Sequence, residues 1–348
     1  MKMLQALRQL GEVWVVAGSS AQRAKQIRRI RSAVKEGVRF DFVYSESATL
    51  PTALTDDDRI PRRPLLDLRF FAFCRRKGIP VGLFYRDVFW RFPEFMAGQN
   101  PVKRFLAKAS YHFDLFWYPF AVDILYLPSL PMLEHVPISR RISVQALPPG
   151  ADVGGIAKPD TDGHLEVLYA GGLSATYDNR RFVEALADIE NLRLTICTRD
   201  YEWEAERGNY EPLMGANTKV VHQSGEELRQ TMMRSHIATV CSCPNPYRKF
   251  GVPVKVYEAL GAGLPIVASS DTLAGEIVEE LGVGWQVPYE VDEMRDLFTR
   301  LAADRSLAEE KRARAVELRQ EHSWVVRAQQ VADELGAIRS RTSPAPPE

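Results

Sequence analysis

Short apolar runs alternate along the chain with stretches of helical spacing. Glu12–Ala17 (EVWVVA), Phe40–Tyr44, Ile79–Tyr85 (IPVGLFY), Asp123–Leu127 and Ser143–Leu147 read as strands. Leu4–Leu10, Ala21–Lys35, Leu65–Lys77 and Lys103–Phe113 between them have the three-and-four spacing of helices. After Pro148-Pro149-Gly150-Ala151-Asp152 a second series begins. Its strands are Leu165–Ala170, Leu192–Cys197, Lys219–His222, Ile237–Cys241 and Pro265–Ala268. Its helices are Arg180–Ala187, Glu226–Arg234, Val254–Gly261, Leu273–Glu280, Asp292–Ala303 and a charged one from Lys311 to Glu321. Continuous apolar strands separated by helices predict parallel sheets covered on both faces. The expected fold is therefore α/β, two doubly wound Rossmann-like domains with a cleft between them. The boundaries are 1–150 and 151–323, with a C-terminal helix of about 324–338 packing back on the first domain. The Ser343–Glu348 tail is expected to fray.

A length of 348 residues fits two domains, and 45% hydrophobic with 26% charged residues is ordinary globular composition. Four scattered cysteines exclude a disulfide framework and a four-ligand metal site, and Cys241-Ser242-Cys243 reads as buried core. No run has the length of a membrane span, and the opening residues lack a charged-then-apolar targeting segment. The expected location is cytoplasmic. Charge changes that picture in one respect. The net charge is zero, yet residues 1–150 hold 23 Lys and Arg against 13 Asp and Glu, and the remainder holds the opposite excess. Arg23, Lys25, Arg28, Arg29, Arg31, Lys35 and Arg39 are spaced as on one helix, and Arg75-Arg76-Lys77 are expected to close another. They read either as solvated faces or as attraction to an anionic surface, with peripheral association at the inner membrane face. No nucleic-acid motif accompanies them.

Ligands of open parallel sheets collect beyond the carboxyl ends of strands, which directs attention to the loops after Tyr85, Ala170, Cys197, Cys241 and Ala268. The richest stretch runs from Pro244 to Glu276. Pro253 starts a helix, and Lys255 and Glu258, three apart, share a face of it. A lysine in a first turn opposes the helix dipole, which suits a seat where both meet an anion, while Glu258 can accept from paired hydroxyls such as a ribose. Ser269-Ser270-Asp271-Thr272 then precede the next helix as cap residues and an anion cradle. In the first domain Arg86-Asp87 follow the strand Ile79–Tyr85, and Asp87 is the candidate general base for an acceptor hydroxyl, with Arg86 to orient it. Tyr44-Ser45-Glu46-Ser47 offer a second candidate in Glu46. The aromatic runs Phe89–Pro93 and Tyr111–Phe120 are read mostly as core, the remainder as a sugar platform or an interfacial patch. His112 and His222 are read as structural.

The string FGVPVKVYEALGAGLPIVASSDTLAGEIVEELGVGWQV resembles the donor-binding signature of GT-B glycosyltransferases, especially the large retaining group with a Glu-x7-Glu motif. Leu147–Asp152 resembles that family's interdomain turn, Leu168–Leu173 its first nucleotide-sugar strand and loop, and His322-Ser323-Trp324 the segment before its final helix. The resemblance covers 147–335 well and 1–146 by architecture, where Glu12–Ala17 resembles the family's second strand. It implies that Glu258 binds the ribose, that Gly171 and Gly172 approach the diphosphate, and that Glu276 lies near the sugar or the domain's structural hydrogen bonds. The first Glu of the motif falls at Phe250, and Gly172 and Tyr177 replace the Arg and Lys that usually follow the glycine loop. Lys255 matches a Pro-x-Lys-x-x-Glu variant, and Lys255, Arg248, Lys249 and Arg199 are the candidates to neutralise diphosphate. The resulting expectation is a retaining, metal-independent hexosyltransferase without a cofactor. Its partners would be a nucleotide-diphosphate sugar and a glycan or lipid-linked acceptor in cell-surface polysaccharide synthesis. A non-catalytic GT-B-like binding subunit and a sugar-nucleotide epimerase are the alternatives. A nicotinamide dehydrogenase is disfavoured because no Gly-x-Gly-x-x-Gly follows a strand.

Overall fold

The computed structural model describes residues 2–92, 100–160, 163–174 and 177–342. Pro93, in one aromatic run, and the Ser343–Glu348 tail lie outside the described residues. The chain divides into two compact units, Met1–Pro148 with Arg327–Glu348, and Pro149–Val326.

The first unit holds α1 (Lys2–Leu10), α2 (Ser20–Lys35), β1 (Val43–Glu46), α3 (Leu66–Arg76), β2 (Val81–Phe84), α4 (Pro101–Ala121), β3 (Ile124–Leu127) and β4 (Ser143–Ala146). The four strands form one parallel sheet in the order β1-β2-β3-β4. Helix α2 starts where Ser19 and Gln22 close a capping box, and it buries Ala24, Ile27, Ile30 and Ala33 on one stripe. Its cations occupy the other faces. Asn100 caps α4 by accepting from the Val102 amide at 2.9 Å. This helix runs past its expected end at Phe113, through Pro119, to Ala121. A proline so near the end costs little, since only one helical bond is lost.

Glu12–Ala17 is not a strand. It is extended, with Trp14 edge-on to Phe40 (5.3 Å) and under the Arg29 guanidinium (4.8 Å), but no described backbone group of Glu12–Val16 makes a hydrogen bond. A cavity of about 1010 Å³, lined by this segment, by Leu4 and Leu7, and by Phe42–Ser47 of the β1 edge, accompanies it. An apolar run reports a tendency toward burial, yet here Val13, Trp14 and Val16 are only half-buried and Val15 is exposed.

The second unit holds β5 (Leu165–Ala170), α5 (Arg180–Leu186), β6 (Leu192–Cys197), α6 (Asp200–Tyr210), β7 (Thr218–Val221), α7 (Gly225–Arg234), β8 (Ile237–Val240), α8 (Val254–Gly261), β9 (Ile266–Ser269), α9 (Leu273–Leu281), β10 (Gly284–Val287), α10 (Val291–Ala303) and α11 (Ser306–Leu318). Its six strands are parallel in the order β10-β9-β8-β5-β6-β7. The order reverses at β5, flanked by β6 on one side and β8 on the other. Two apolar clusters cover the sheet, one centred on Phe182, Leu194 and Phe298, the other on Val256, Leu260 and Ile266. Helix α6 and strand β10 were not expected. The former buries only Tyr210, so it carries little periodic signal. The latter is four residues long and opens on a glycine.

Helix α12 (Trp324–Thr342) belongs to the first unit from Arg327 onward. Gln330 donates to the Ala146 carbonyl at 2.9 Å, and Leu335 packs against Gly82 beside Tyr126.

Gly284 is the tightest joint of the second sheet, because a Cβ there would overlap the Ile266 carbonyl. Gly284→Ala is expected to destabilise the second unit by about 3 kcal/mol. Urea unfolding checks it; an unchanged midpoint would show that β10 can move aside.

Candidate functional site

In the second unit every strand is parallel, so the loops after β5, β6, β8 and β9 leave the same edge of the sheet. The order reverses at β5, the position at which open parallel sheets characteristically take their ligands. Buried Asn179 sets the shape of the first of these. Its side-chain amide donates to the Tyr169 hydroxyl (2.8 Å) and the Tyr177 carbonyl (2.7 Å), and Tyr169 donates to the Gly172 carbonyl (2.6 Å). Gly171 and Gly172 are thus held by rings and amides behind them, with their backbone partly exposed. The loop after β8 is tied to the same region, since the Cys243 amide donates to the Asp178 carbonyl at 3.0 Å and the Ser242 amide to Ser269 Oγ at 2.9 Å.

Helix α8 leaves this edge with no side-chain cap at Pro253 and no acidic residue in its first turn. Its open amides and Lys255 leave a concentration of positive charge. Lys255 Nζ lies 2.8 Å from Glu258 Oε2, with the two side chains 39% and 40% exposed. The Lys255 ammonium also acts on the Cys197 thiol at the end of β6, whose pKa burial raises and this cation partly lowers. Lys255 is thus near the carboxyl end of β6. Phe250, where the Glu-x7-Glu motif has its first carboxylate, is 2% exposed and edge-on to Tyr247 at 4.9 Å.

The other candidates differ in what already holds them. Ser269 is fully buried and its hydroxyl accepts the Ser242 amide, while the Ser270 amide donates to the Val287 carbonyl. The cap of α9 is Thr272, accepting from the Gly275 amide at 3.2 Å. Glu276 is exposed in the first turn of α9. Arg199 donates to Tyr201 (2.8 Å) and Glu202 (3.1 Å). Glu202 was not singled out from the sequence, yet a Cβ added to Gly172 would meet its Oε2 at 3.0 Å. A carboxylate therefore faces the glycine loop. The Arg248 guanidinium stacks over the Tyr177 ring at 5.1 Å, and its burial lowers its pKa; Lys249 is exposed. Cys241 is buried, as expected, but Cys243 is exposed and so is not core.

In the first unit Asp87 follows β2 and is 7% exposed. Burial pushes its carboxyl up to about 6 against the help of the Phe89 amide, the Thr49 hydroxyl and Arg86. Tyr85 accepts from the Trp90 indole at 2.9 Å, and Tyr111 stacks on Trp90 at 4.9 Å, which walls this carboxylate with rings. Arg86 turns to Glu46 (3.5 Å), so the two candidates of this unit's loops pair with each other. His112 packs edge-on to Trp90 at 5.1 Å, and His222 Nδ1 lies 3.0 Å from the Thr198 carbonyl. Asp114 on α4 was not picked out from the sequence. It is buried, accepts the Thr52 amide at 2.7 Å and is pushed by burial to about 6. Its signal was a lone acid inside the aromatic run Tyr111–Phe120. Among the described residues no group of three or more acidic, His or Cys side chains is arranged for a metal, and no helix is long and apolar enough to cross a membrane.

Residues 176–333 match the family model described as Glycosyl transferase-like. Comparison with curated proteins finds no match. The fold is that of GT-B glycosyltransferases. Anabaena HepE in complex with UDP superposes with a TM-score of 0.63 at 14% identity, over 96% of this chain and 89% of that one. Sucrose-phosphate synthase from Thermosynechococcus elongatus does so with 0.61 at 15% identity, over 94% and 81%. The α,α-trehalose 6-phosphate synthase of Burkholderia multivorans gives 0.56 at 12%, over 98% and 81%.

A buried Asp whose pKa rises on folding contributes stability at low pH that is lost as pH climbs through the folded value. Replacing Asp114 by Asn removes this loss. Between pH 5 and pH 8 the stability difference is expected to move about 1 kcal/mol in favour of Asp114→Asn, taking its folded value of about 6. Urea titrations at the two pH values measure it; a constant difference would mean that Asp114 titrates normally.

Proposed function

We propose that this chain is a glycosyltransferase that moves a hexose from a nucleoside-diphosphate donor to a hydroxyl of a glycan or lipid-linked acceptor in cell-surface polysaccharide synthesis. The observation that carries the reading is the Lys255–Glu258 pair at the uncapped start of α8, inside the segment that matches the Glycosyl transferase-like model. Lys255 and the α8 amides would meet the diphosphate, and Glu258 would accept from the ribose diol. Gly171 and Gly172 would let the phosphates approach backbone, with Arg199 and Ser270 near them, Glu276 toward the sugar, and Ser269, fully buried, bracing the loop after β8 from behind.

The sugar C1–phosphate oxygen bond breaks and an acceptor oxygen–C1 bond forms, with configuration retained. Negative charge develops on the departing diphosphate, where Lys255 and the helix N-terminus can stabilise it without a metal. Asp87 takes the acceptor proton, and Arg86 orients the acceptor. The solved neighbours include HepE with UDP-glucose, which makes uridine nucleotides the first donors to try.

The second reading, a binding subunit that does not transfer sugar, is favoured by Phe250, which puts an inert ring where the motif has a carboxylate. The two readings separate in one set of measurements. UDP is expected to raise the melting temperature of the parent, and Glu258→Ala and Lys255→Ala to weaken UDP by about tenfold or more, the worth of a charged hydrogen bond. Unchanged affinity in both variants would remove α8 from the site. Asp87→Asn should leave UDP binding intact and cut sugar transfer at least about a hundredfold. The parent's rate should fall as pH drops below about 6, where Asp87 takes up a proton. UDP binding without transfer or hydrolysis by the parent would support the binding subunit.

A further inference from the structure

Helix α4 has two apolar faces. One, with Tyr111, Leu115, Tyr118 and Ala121, is buried in the first unit. The other carries Val102, Phe105, Leu106, Phe116, Trp117 and Phe120, all exposed; Phe105 is 71% and Phe116 63% accessible. These six are a third of the 18 large exposed apolar residues among the described ones, so the concentration on one helix is not scatter. At 100° per residue they fall within about 60° of a single line, with Ala109 and Phe113 filling the gap in its middle. The line is about 27 Å long. Toward its carboxyl end Phe116 stands edge-on to Trp117 at 5.3 Å, and Phe120 lies 6.0 Å from both. No acidic residue lies on the stripe.

Cations mark both ends. Lys103 and Lys108 stand on either side of the first two turns, about 100° and 120° from the line, and Arg104 lies on the far side. At the other end Arg75 donates to the Phe120 carbonyl at 2.7 Å, which brings the run Arg75-Arg76-Lys77 to the last turn, with Arg76 and Lys77 exposed. Arg75 is paired to Asp123, leaving Arg76 and Lys77 as the uncompensated charges there. Helix α3 packs on α4, and α2, with its exposed Lys25, Arg28 and Arg29, packs on α3.

We propose that this face of α4 docks on an anionic lipid bilayer, its rings entering the interface and the flanking Lys and Arg meeting lipid phosphates. A long line of Phe, Trp, Leu and Val bordered by cations, on a helix that does not span a membrane, is the chemistry of an interfacial helix. A protein partner would have to match both the rings and the two basic ends, and a second copy of the same basic face would repel itself. The inference does not depend on the transfer reaction, and vesicle binding and nucleotide binding are read separately.

Flotation of the full chain with phosphatidylglycerol–phosphatidylcholine vesicles tests it, against phosphatidylcholine alone. The parent should float with the anionic vesicles, at least about tenfold more than with neutral ones. Phe105→Glu/Phe116→Glu/Phe120→Glu should lose this by about tenfold or more while keeping the parent's melting temperature and UDP affinity. Because that variant alters many contacts, Lys103→Glu/Arg104→Glu/Lys108→Glu is the second probe, expected to weaken anionic binding and to leave neutral vesicles unaffected. A parent that stays unbound on anionic vesicles overturns the proposal, as does ring-variant binding equal to the parent's. A parent that is dimeric by sedimentation, unbound by vesicles and made monomeric by the ring variant would assign the face to a second copy instead.

Discussion

Parallel pairing is the constraint on which this molecule rests. A strand that runs beside its predecessor in the same direction must be reached by a crossover, and the crossover is where the helices come from. All six strands of the second sheet therefore discharge their loops at one edge, and the reversal at β5 parts two of those loops. Residues as far apart in sequence as Gly172, Cys197, Lys255 and Ser269 are gathered without any direct attraction between them. Behind that edge a buried amide, Asn179, and three phenols, Tyr169, Tyr210 and Tyr289, keep the loop backbone in place. The Asn179 amide nitrogen and the three phenols are paired with one another or with main chain, while the Asn179 side-chain oxygen is buried without a partner among the described residues.

The same logic separates two kinds of carboxylate. Asp178 is held below its ordinary range by the adjacent Arg180, a partly exposed pair that keeps its charge. Asp87 and Asp114 are enclosed by aromatic rings and main chain, and burial lifts them both to about 6. Groups displaced in that direction are costly to fold around as anions. Asp114 sits where Thr52 and Tyr118 tie the segment after β1 to α4, a structural use. Asp87 lies at a strand end beside an open loop, a position at which such a cost more often has a chemical return.

Much of this was legible in the residues. Strands β5 and β6 and helix α8 fall on the expected bounds, because each combines a strong period with a clear stop: two glycines after Ala170, a proline before Val254, Gly263 just beyond Gly261. The motif containing Lys255 and Glu258 was visible for the same reason. Glu12–Ala17 misled because pairing depends on a neighbour that a local pattern does not encode. Short β10 was missed because Gly284 is chosen for closeness to Ile266 and not for propensity. Glu202 was invisible as a neighbour of the glycine loop since its significance comes from what the fold sets against it, and Asp114 left only the faint signal of a lone acid among rings. Cys243 was misread from its apolar surroundings, although it lies on the outward side of a loop.

The Lys255–Glu258 contact has a consequence for what can occupy that edge. With the two side chains joined, the ammonium at the start of α8 is partly neutralised by a carboxylate of its own helix. An ion that captures the ammonium alone strands the carboxylate without its counter-charge. A group that met both halves of the pair at once would leave neither charge stranded.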